Sequence, residues 1–396
     1  MHTEQLITRF HALGTFLHEQ AALWREKPFT TPHLRWERTW PELSRWLRAR
    51  PLAEADNPPD AHHLPHPFPT WAARAAQLTA VDALPDTPFK PLSNAFQVDV
   101  PGRKWQQINA LAQRLHFQTP VQHWLDWCAG KGHLGRRLAC DGTPLTCLEY
   151  DAALVTDGQH LSNRLQLQAQ HQQQDVLADS AADYLNATHT PVALHACGEL
   201  HIRLLTLASA QGCRQLAIAP CCYNRIQHTD YQALSKAGQR SVLRLSRDDL
   251  RLPLAETVTA GARVRRQRDM SMARRLAFDI VQREIRGCDE YLPVPSLSID
   301  WLEKPFADYC RDLAHLKQLP TPKVHNWDAL EAHGWQRLAM VRHLERVRGL
   351  FRRPMELWLV LDRALYLVEQ GYQVRVGTFC EYTLTPRNLL IIAERY

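Results

Sequence analysis

Residues 124–139 read WLDWCAGKGHLGRRLA, and this stretch decides the fold that we predict for the chain. A short apolar run that contains Asp126 is followed by Gly130, Gly132 and Gly135, and then by a helical pattern. Glycine has no side chain and tolerates positive φ, so a strand, a tight turn and a helix N-terminus can bring bare backbone against a nucleotide-like ligand. The stretch therefore predicts a ligand-binding turn, with an ordinary strand-to-helix turn as the alternative.

Acidic residues around this turn favour a cationic ligand over a dinucleotide. Asp126 lies just before the turn, where it would repel the pyrophosphate of NAD but attract the amine or sulfonium of S-adenosylmethionine. Glu149 closes the next apolar run, about 20 residues further on, where an acid can hold both ribose hydroxyls. Asp175 can accept from the adenine amine while the Val176 amide serves a ring nitrogen. The alternative for Asp175 is the capping of a helix at 177–185.

Composition sets broad limits on the class of protein. The chain has 396 residues, 45% of them hydrophobic, and a net charge of +6, which permits a polyanionic partner without requiring one. The opening MHTEQLITRF lacks the pattern of a signal peptide, and no apolar run approaches the ~20 residues of a membrane helix. Ten cysteines without regular spacing predict reduced thiols and a cytoplasmic location. The lack of a Cys-x-x-Cys pair argues against a zinc ribbon.

Strand and helix patterns alternate in the central part of the chain. Strands are expected at 123–127, 144–149, 165–169, 192–196 and 216–219, and a helix at 104–115 leads into the first of them. Such alternation predicts an α/β fold with a parallel sheet, in which ligands bind at the carboxyl ends of the strands. Two further strands at 372–382 and 389–396 predict an antiparallel hairpin. This pattern resembles the seven-stranded Rossmann-like sheet of class I methyltransferases.

The remaining segments predict a cap and an insertion. Residues 1–95 form a helical N-terminal cap with a proline-rich linker, and residues 96–225 and 328–396 form the sheet domain. Residues 226–327 form a basic helical insertion, because they are too long for a plain connection. Its arginines between 261 and 287 are candidates for binding RNA; a solvated helix face is the alternative.

Several thiols follow strands four and five. If strands one, four and five are neighbours, Cys128, His195, Cys197, Cys221 and Cys222 converge at one edge of the sheet. We place packing and lining of the pocket first, since cysteine behaves as a small buried hydrophobe. A thiolate that attacks C6 of a pyrimidine comes second. A soft-metal site comes last, because adjacent cysteines rarely bind one tetrahedral ion, and we predict no metal.

Two residues beyond strand five are candidates for contact with a flat acceptor. Tyr223 can stack on such a molecule, and Asn224 can accept from its exocyclic amine. A packed tyrosine is the alternative. His195 or His133 is the candidate general base.

Four motifs in this order resemble one family of class I methyltransferase domains. They are Asp126-x-x-x-Gly130-Lys-Gly-His133, His195-x-Cys-Gly198, Cys221-Cys-Tyr223 and Thr385-Pro-Arg-Asn388. The family includes methyltransferase-like protein 25 and the glutathione S-transferase C-terminal domain-containing protein, and more distantly a group of tRNA 2′-O-methyltransferases. The resemblance covers about 100–225 and 335–396. It implies S-adenosylmethionine binding by Asp126, Gly130, Lys131, Gly132, Glu149 and Asp175. Cys128 and His133 lie in the same turn and complete this predicted cofactor site with Val176.

The sequence therefore predicts an S-adenosylmethionine-dependent methyltransferase whose acceptor is RNA, either tRNA or rRNA. The alternatives are a methyltransferase that acts on a protein or a small molecule, and a non-catalytic module that binds S-adenosylmethionine or RNA. We predict no membrane partner and infer no obligate protein partner.

Overall fold

The computed structural model describes residues 3–57, 59–87, 91–255 and 261–395. The α-helices in these residues are α1 (Thr3–Glu19), α2 (Ala21–Trp24), α3 (Trp36–Thr39), α4 (Pro41–Arg48), α5 (Phe68–Thr79), α6 (Gly102–Arg114), α7 (His133–Leu138), α8 (Ala152–Arg164), α9 (Glu199–Ala210), α10 (Lys236–Arg240), α11 (Ala262–Arg286), α12 (Asp300–Glu303), α13 (Phe306–Leu316), α14 (Trp327–Gly349) and α15 (Arg352–Glu369). The strands are β1 (His123–Trp127), β2 (Leu145–Glu149), β3 (Ala169–Gln173), β4 (His189–Cys197), β5 (Gln215–Cys221), β6 (Gln373–Thr378) and β7 (Leu389–Glu394).

The seven strands form one sheet in the order β3-β2-β1-β4-β5-β7-β6. Strands β1 to β5 pair in parallel, whereas β7 runs antiparallel to both β5 and β6. The strand order reverses between β1 and β4, so the carboxyl ends of these two strands flank the point where ligands bind in open α/β sheets. The predicted seven-stranded sheet with a C-terminal antiparallel pair is confirmed.

Apolar side chains on α6 and on the central strands explain why this helix covers the sheet. Trp105, Ile108 and Leu111 repeat at helical spacing, and all three are buried in a core cluster with Trp124 of β1 and Val192 of β4. This packing fixes the position of α6 immediately before β1. Lys104 and Gln107 on this helix are thereby held near Asp126 of β1 and His195 of β4.

Helix α15 packs against α9, β6 and β7 and contains a buried carboxylate. Asp362 is fully buried, and its oxygens accept hydrogen bonds from the Leu234 amide (2.8 Å), the Ser235 hydroxyl (2.6 Å) and the Tyr231 hydroxyl (2.5 Å). The adjacent Arg363 is also fully buried and donates to His201 Nε2 at 2.7 Å. The segment that follows β5 is thus tied to α15 by a buried polar network.

Some local predictions differ from the structure. The third strand lies at Ala169–Gln173 instead of 165–169, because the ladder continues through the polar residues that follow Ala169. The helix expected at 177–185 is a 3₁₀ helix at Asp179–Tyr184.

The chain divides into two compact units. One comprises Met1–His18, Leu78–Thr259 and Arg352–Tyr396 and contains the sheet; the other comprises Glu19–Gln77 and Ala260–Phe351. In the second unit α11 packs on α14, and Gly334 lies directly against the carbonyl of Ala273. The predicted boundaries of the cap, the sheet domain and the insertion stay predictions. No helix in the described residues is long and apolar enough to cross a lipid bilayer.

Candidate active site

The glycine turn after β1 presents open backbone on one side and is tightly packed on the other. Cys128, Gly130 and Gly132 have φ values of +56°, +58° and +72°. A Cβ atom added at Gly130 would meet no heavy atom within 4 Å, so this residue faces open space. A Cβ atom at Gly132 would lie 2.5 Å from Cε1 of His171. Gly130 therefore offers the ligand-facing backbone, and Gly132 allows the close packing that shapes the turn.

Asp126 supports the turn from below. Its carboxylate is only 2% exposed, and its Oδ2 accepts a hydrogen bond from the Gly135 amide at 2.8 Å, in the first turn of α7. Burial raises the pKa of Asp126 to about 7. In the structure this acid satisfies an amide at a helix N-terminus that has no intrahelical partner, and its attraction of a cationic ligand stays a prediction. Its contribution is to hold the turn in position.

Glu149 links the end of β2 to the glycine turn. Its Oε2 accepts from the Gly130 amide at 2.8 Å, and its Oε1 accepts from the Asp151 amide at 3.1 Å. Each carboxylate oxygen can accept a second hydrogen bond, so both oxygens of this half-buried side chain remain able to bind ribose hydroxyls. The geometry suits the role that was predicted for Glu149.

The predicted adenine-binding residues lie just after β3. Asp175 is exposed, and its Oδ1 accepts from the Leu177 amide at 2.9 Å, while Val176 is buried. Burial, and then the charges of Glu149, Asp126 and Asp175, raise the pKa of Cys128 to about 12. The three predicted acids therefore surround one thiol at the carboxyl ends of β1, β2 and β3.

Lys131 and His133 interact with other side chains. Lys131 Nζ pairs with Asp99 at 2.7 Å and with Asp157 at 2.9 Å. His133 is 5% exposed, its Nδ1 lies 2.8 Å from Nη2 of Arg136, and burial lowers its pKa to about 4. Both residues were predicted to bind the cofactor, and His133 was a candidate base. Their side-chain contacts brace the turn, and their part in cofactor binding stays a prediction. The buried position of His133 argues against its role as the base.

His195 is presented by an irregular strand end. The pairing of β4 with β5 shifts register between Leu194 and Cys197, and His195 has a φ of +68°. Its Nε2 lies 2.8 Å from Oε1 of Gln107, whose Nε2 donates to the Leu384 carbonyl at 3.3 Å. Since an amide oxygen only accepts, the proton resides on His195 Nε2 and its Nδ1 has a free lone pair. Burial lowers the pKa of His195 and favours this neutral form.

Three thiols come together at the ends of β4 and β5, as predicted from the strand order. The Sγ atoms of Cys197, Cys221 and Cys222 all lie within 4.8 Å of one another, and those of Cys197 and Cys221 are 3.7 Å apart. Hydrogen bonds from the other two thiols, and then the charges of Arg225 and Arg387, lower the pKa of Cys222. Cys222 is the thiol of the three that most readily carries a negative charge.

The prediction that Tyr223 stacks on an acceptor is wrong for this structure. Tyr223 is 1% exposed, and its hydroxyl donates to the Pro220 carbonyl at 3.3 Å. The Arg363 guanidinium lies 5.2 Å from the centre of its ring. The ring therefore belongs to the core beneath α15. Asn224, which follows it, is half-buried at the strand end and stays a candidate.

Sequence reasoning missed four residues around this site. They are Lys104 and Gln107 on α6, Arg225 after β5 and Arg387. The charge of Lys104 acts on Asp126, His133 and His195, and that of Arg387 acts on His195 and Cys222. Their signals were present: Arg387 lies within the Thr-Pro-Arg-Asn motif, and the two α6 residues are three positions apart on one helix face.

A pH-dependent measurement tests the buried position of Asp126. Its pKa of about 7 in the folded chain lies above the unfolded value of about 3.9, so its contribution to stability is complete below pH ~4 and is lost as the pH rises through 7. Asp126→Asn cannot ionise and keeps an oxygen acceptor for Gly135. We expect its free energy of unfolding, measured in urea from pH 4 to 8, to rise relative to wild type by about 1.4 kcal/mol per unit of pKa shift. Parallel curves would contradict this assignment.

Comparison with known proteins supports the resemblance predicted from the four motifs. Residues 103–229 match a family model described as a methyltransferase domain. The glutathione S-transferase C-terminal domain-containing protein of Homo sapiens is 30% identical over 189 residues, which cover 44% of this chain and 26% of that protein. The Mus musculus protein is 28% identical over 179 residues, which cover 43% of this chain and 25% of that protein. The chain thus spans about a quarter of the length of these relatives.

Solved structures show weaker likeness. The magnesium protoporphyrin IX methyltransferase of Synechocystis PCC 6803 with bound SAH is 12% identical, with a TM-score of 0.32 and coverage of 78% of this chain and 90% of that chain. The plantazolicin methyltransferase BpumL in complex with SAH is 15% identical, with a TM-score of 0.22 and coverage of 46% and 60%. The fold assignment rests on the strand order and the domain match, which together support a methyltransferase domain with S-adenosylmethionine as its cofactor.

Proposed function

We propose that this protein is an S-adenosylmethionine-dependent methyltransferase. The observation that carries the proposal is the open side of Gly130, bonded through its amide to Glu149 at the end of the neighbouring strand. An acid and bare backbone at this point of the sheet suit a nucleoside with a positively charged sulfur. The match of residues 103–229 to a methyltransferase domain supports the same function.

The residues at the strand ends fit this cofactor. The backbone from Cys128 to Gly132 would lie along its methionine part, Glu149 would hold the ribose hydroxyls and Asp175 the adenine amine. S-adenosylmethionine supplies a methyl carbon that is open to in-line displacement. The protein then has to position and desolvate the two reactants.

The acceptor would bind beside the three thiols that cluster at the ends of β4 and β5. His195 Nδ1 has a lone pair that can accept a proton from the acceptor, and Gln107 fixes the orientation of the ring. Asn224 and Cys222 lie after the neighbouring strand. These residues can orient the acceptor and remove its proton without further groups.

RNA, either tRNA or rRNA, is the acceptor that we favour. The arginines between 261 and 287, which suggested RNA binding in the sequence, are not its main support. Most arginines of α11 serve the second unit itself: Arg274 pairs with Glu331 at 2.9 Å, Arg283 pairs with Asp279 at 3.0 Å, and Arg275 donates to a backbone carbonyl. Arginines held in this way are less available to neutralise phosphates. The support comes instead from positive charge beside the candidate active site.

Three cations border that site. Lys104 and Arg225 are exposed, and Arg387 is half-buried beside Cys222, with its Nη2 also donating to the Leu254 carbonyl at 3.0 Å. A phosphate-bearing acceptor would be attracted to this edge of the sheet.

A protein or small-molecule acceptor and a non-catalytic binding module are the competing functions. Ten free cysteines support a cytoplasmic location as part of the proposal.

Isothermal titration of the full chain with S-adenosylmethionine tests the cofactor. We expect saturable binding, and no heat of binding at high micromolar ligand would overturn the proposal. Glu149→Ala is expected to weaken binding about tenfold or more, because it removes the ribose acceptor and the bond to Gly130.

Salt dependence of tRNA binding tests the acceptor. We expect log K to fall linearly with log salt concentration, with a slope that Lys104→Ala reduces by about one. Lys236→Ala is the matched control, since Lys236 is exposed on α10 in the same unit and plays no part in the site. Indifference to salt would favour a protein or small-molecule acceptor. If binding weakens with salt as expected, mass spectrometry of digested RNA from a deletion strain would identify the missing methylated nucleoside.

A further inference from the structure

The three thiols have the spacing of metal ligands. Cys197 and Cys221 are the last residues of β4 and β5 and are partners in the strand pairing. Their Sγ atoms are 3.7 Å apart. In a tetrahedral zinc site with Zn–S bonds of about 2.3 Å, two sulfur ligands lie about 3.8 Å apart. The two thiols therefore already span one edge of such a tetrahedron.

The backbone brings the third thiol to the same side. Consecutive residues of a strand point to opposite faces, which is why adjacent cysteines rarely bind one ion. Cys222 has a φ of +46°, so the strand alternation ends at Cys221 and the chain turns. As a result the Sγ atom of Cys222 lies within 4.8 Å of both other sulfurs. The structure removes the objection that adjacency raised.

Charge around the cluster suits thiolates. Three thiolates and one divalent ion carry a net charge of −1, which is costly to bury unless it is compensated. Arg225 and Arg387 are the cations that act on Cys222, and Arg225 also acts on Cys197. Their positive charge can balance the complex.

We propose that Cys197, Cys221 and Cys222 bind one zinc-class divalent metal ion and leave its fourth position open. Cys221 is buried and closes the inner side, whereas Cys197 and Cys222 are half-exposed, and Cys222 lies close enough to His195 for its charge to act on that ring. Three protein ligands with an open position are typical of catalytic zinc sites, and soft thiolates favour zinc over magnesium or calcium. Water or an acceptor atom takes the fourth position. Binding releases the protons of the three thiols. This site does not depend on the proposed methyl transfer.

Metal content and cobalt spectroscopy test the site directly. The full chain, purified under reducing conditions and incubated with Zn²⁺, is expected to retain about one zinc per chain after dialysis, as set by the three-ligand site. Replacement by Co²⁺ is expected to give intense thiolate-to-cobalt charge-transfer absorption and the visible bands of tetrahedral cobalt. X-ray absorption of the zinc form should show sulfur ligands at about 2.3 Å.

Single substitutions identify the ligands. Cys197→Ser and Cys222→Ser are each expected to lose the retained metal and the charge-transfer band. Cys288→Ser is the matched control, since Cys288 is half-buried after α11, outside the cluster, and should retain both. If the serine variants fold poorly, the wild-type chain still decides: zinc must protect three thiols from alkylation. No retained metal, cobalt spectra without thiolate bands, or a Cys197–Cys221 disulfide in the reduced preparation would overturn the proposal.

Discussion

Replacing Gly130 with valine is expected to abolish S-adenosylmethionine binding while the protein remains folded. A Cβ atom at this position meets no protein atom within 4 Å, so the new side chain would fill the space that we assign to the cofactor. The φ of +58° costs a side-chain-bearing residue about 1–2 kcal/mol. We expect affinity measured by titration calorimetry to fall at least about 100-fold, or about 2.7 kcal/mol, with alanine giving a smaller loss.

Gly142 provides the matched control for this experiment. It has a φ of +96°, and a Cβ atom there would also meet nothing within 4 Å. It lies between α7 and β2, outside the glycine turn that follows β1. Gly142→Val carries a similar backbone penalty, so it should lower the melting temperature without changing affinity. Undiminished binding by Gly130→Val would show that the cofactor does not lie against this turn.

Replacing Asp362 with alanine is expected to cost about 3–5 kcal/mol of folding free energy. The fully buried carboxylate accepts from Tyr231, Leu234 and Ser235, and its loss leaves these donors without an acceptor. It also removes the acceptor of the Tyr231 hydroxyl, to which the buried Arg363 donates at 3.1 Å. Urea unfolding monitored by circular dichroism measures the change.

The exposed Glu369 on the same helix serves as the control for Asp362. It accepts from the Lys236 amide at 2.8 Å and so binds the same segment of chain at its surface. Glu369→Ala is expected to cost about 0.5 kcal/mol, because water can replace an exposed acceptor. Equal losses in the two variants would mean that the buried network contributes no more than a surface contact.

The parts of the fold that local patterns encode were predictable. Short apolar runs placed β1, β2, β4 and β5, and helical spacing of Trp105, Ile108 and Leu111 placed α6. The strand order then brought the thiols of Cys197 and Cys221 together. Such inferences succeed because periodicity and parallel strand ends determine which residues share a face or an edge.

The partners of individual side chains were not predictable, because they come from distant segments. Lys131 lies within the predicted ligand-binding turn, yet its ion pairs involve Asp99 and Asp157. Tyr223 follows a strand end, yet α15 covers it through Arg363. A single sequence contains no signal for such contacts, since each depends on how segments that are separated along the chain pack together.

The insertion of β7 between β5 and β6 has a consequence for synthesis of the protein. All residues of β5 are buried, and its outer edge pairs with β7, which follows it by more than 150 residues along the chain. A nascent polypeptide that has left the ribosome up to α9 and β5 therefore displays an unpaired, apolar edge for the whole time needed to translate the intervening helices. Chaperone binding during translation should concentrate on that interval, when intermolecular strand pairing competes with the arrival of β7.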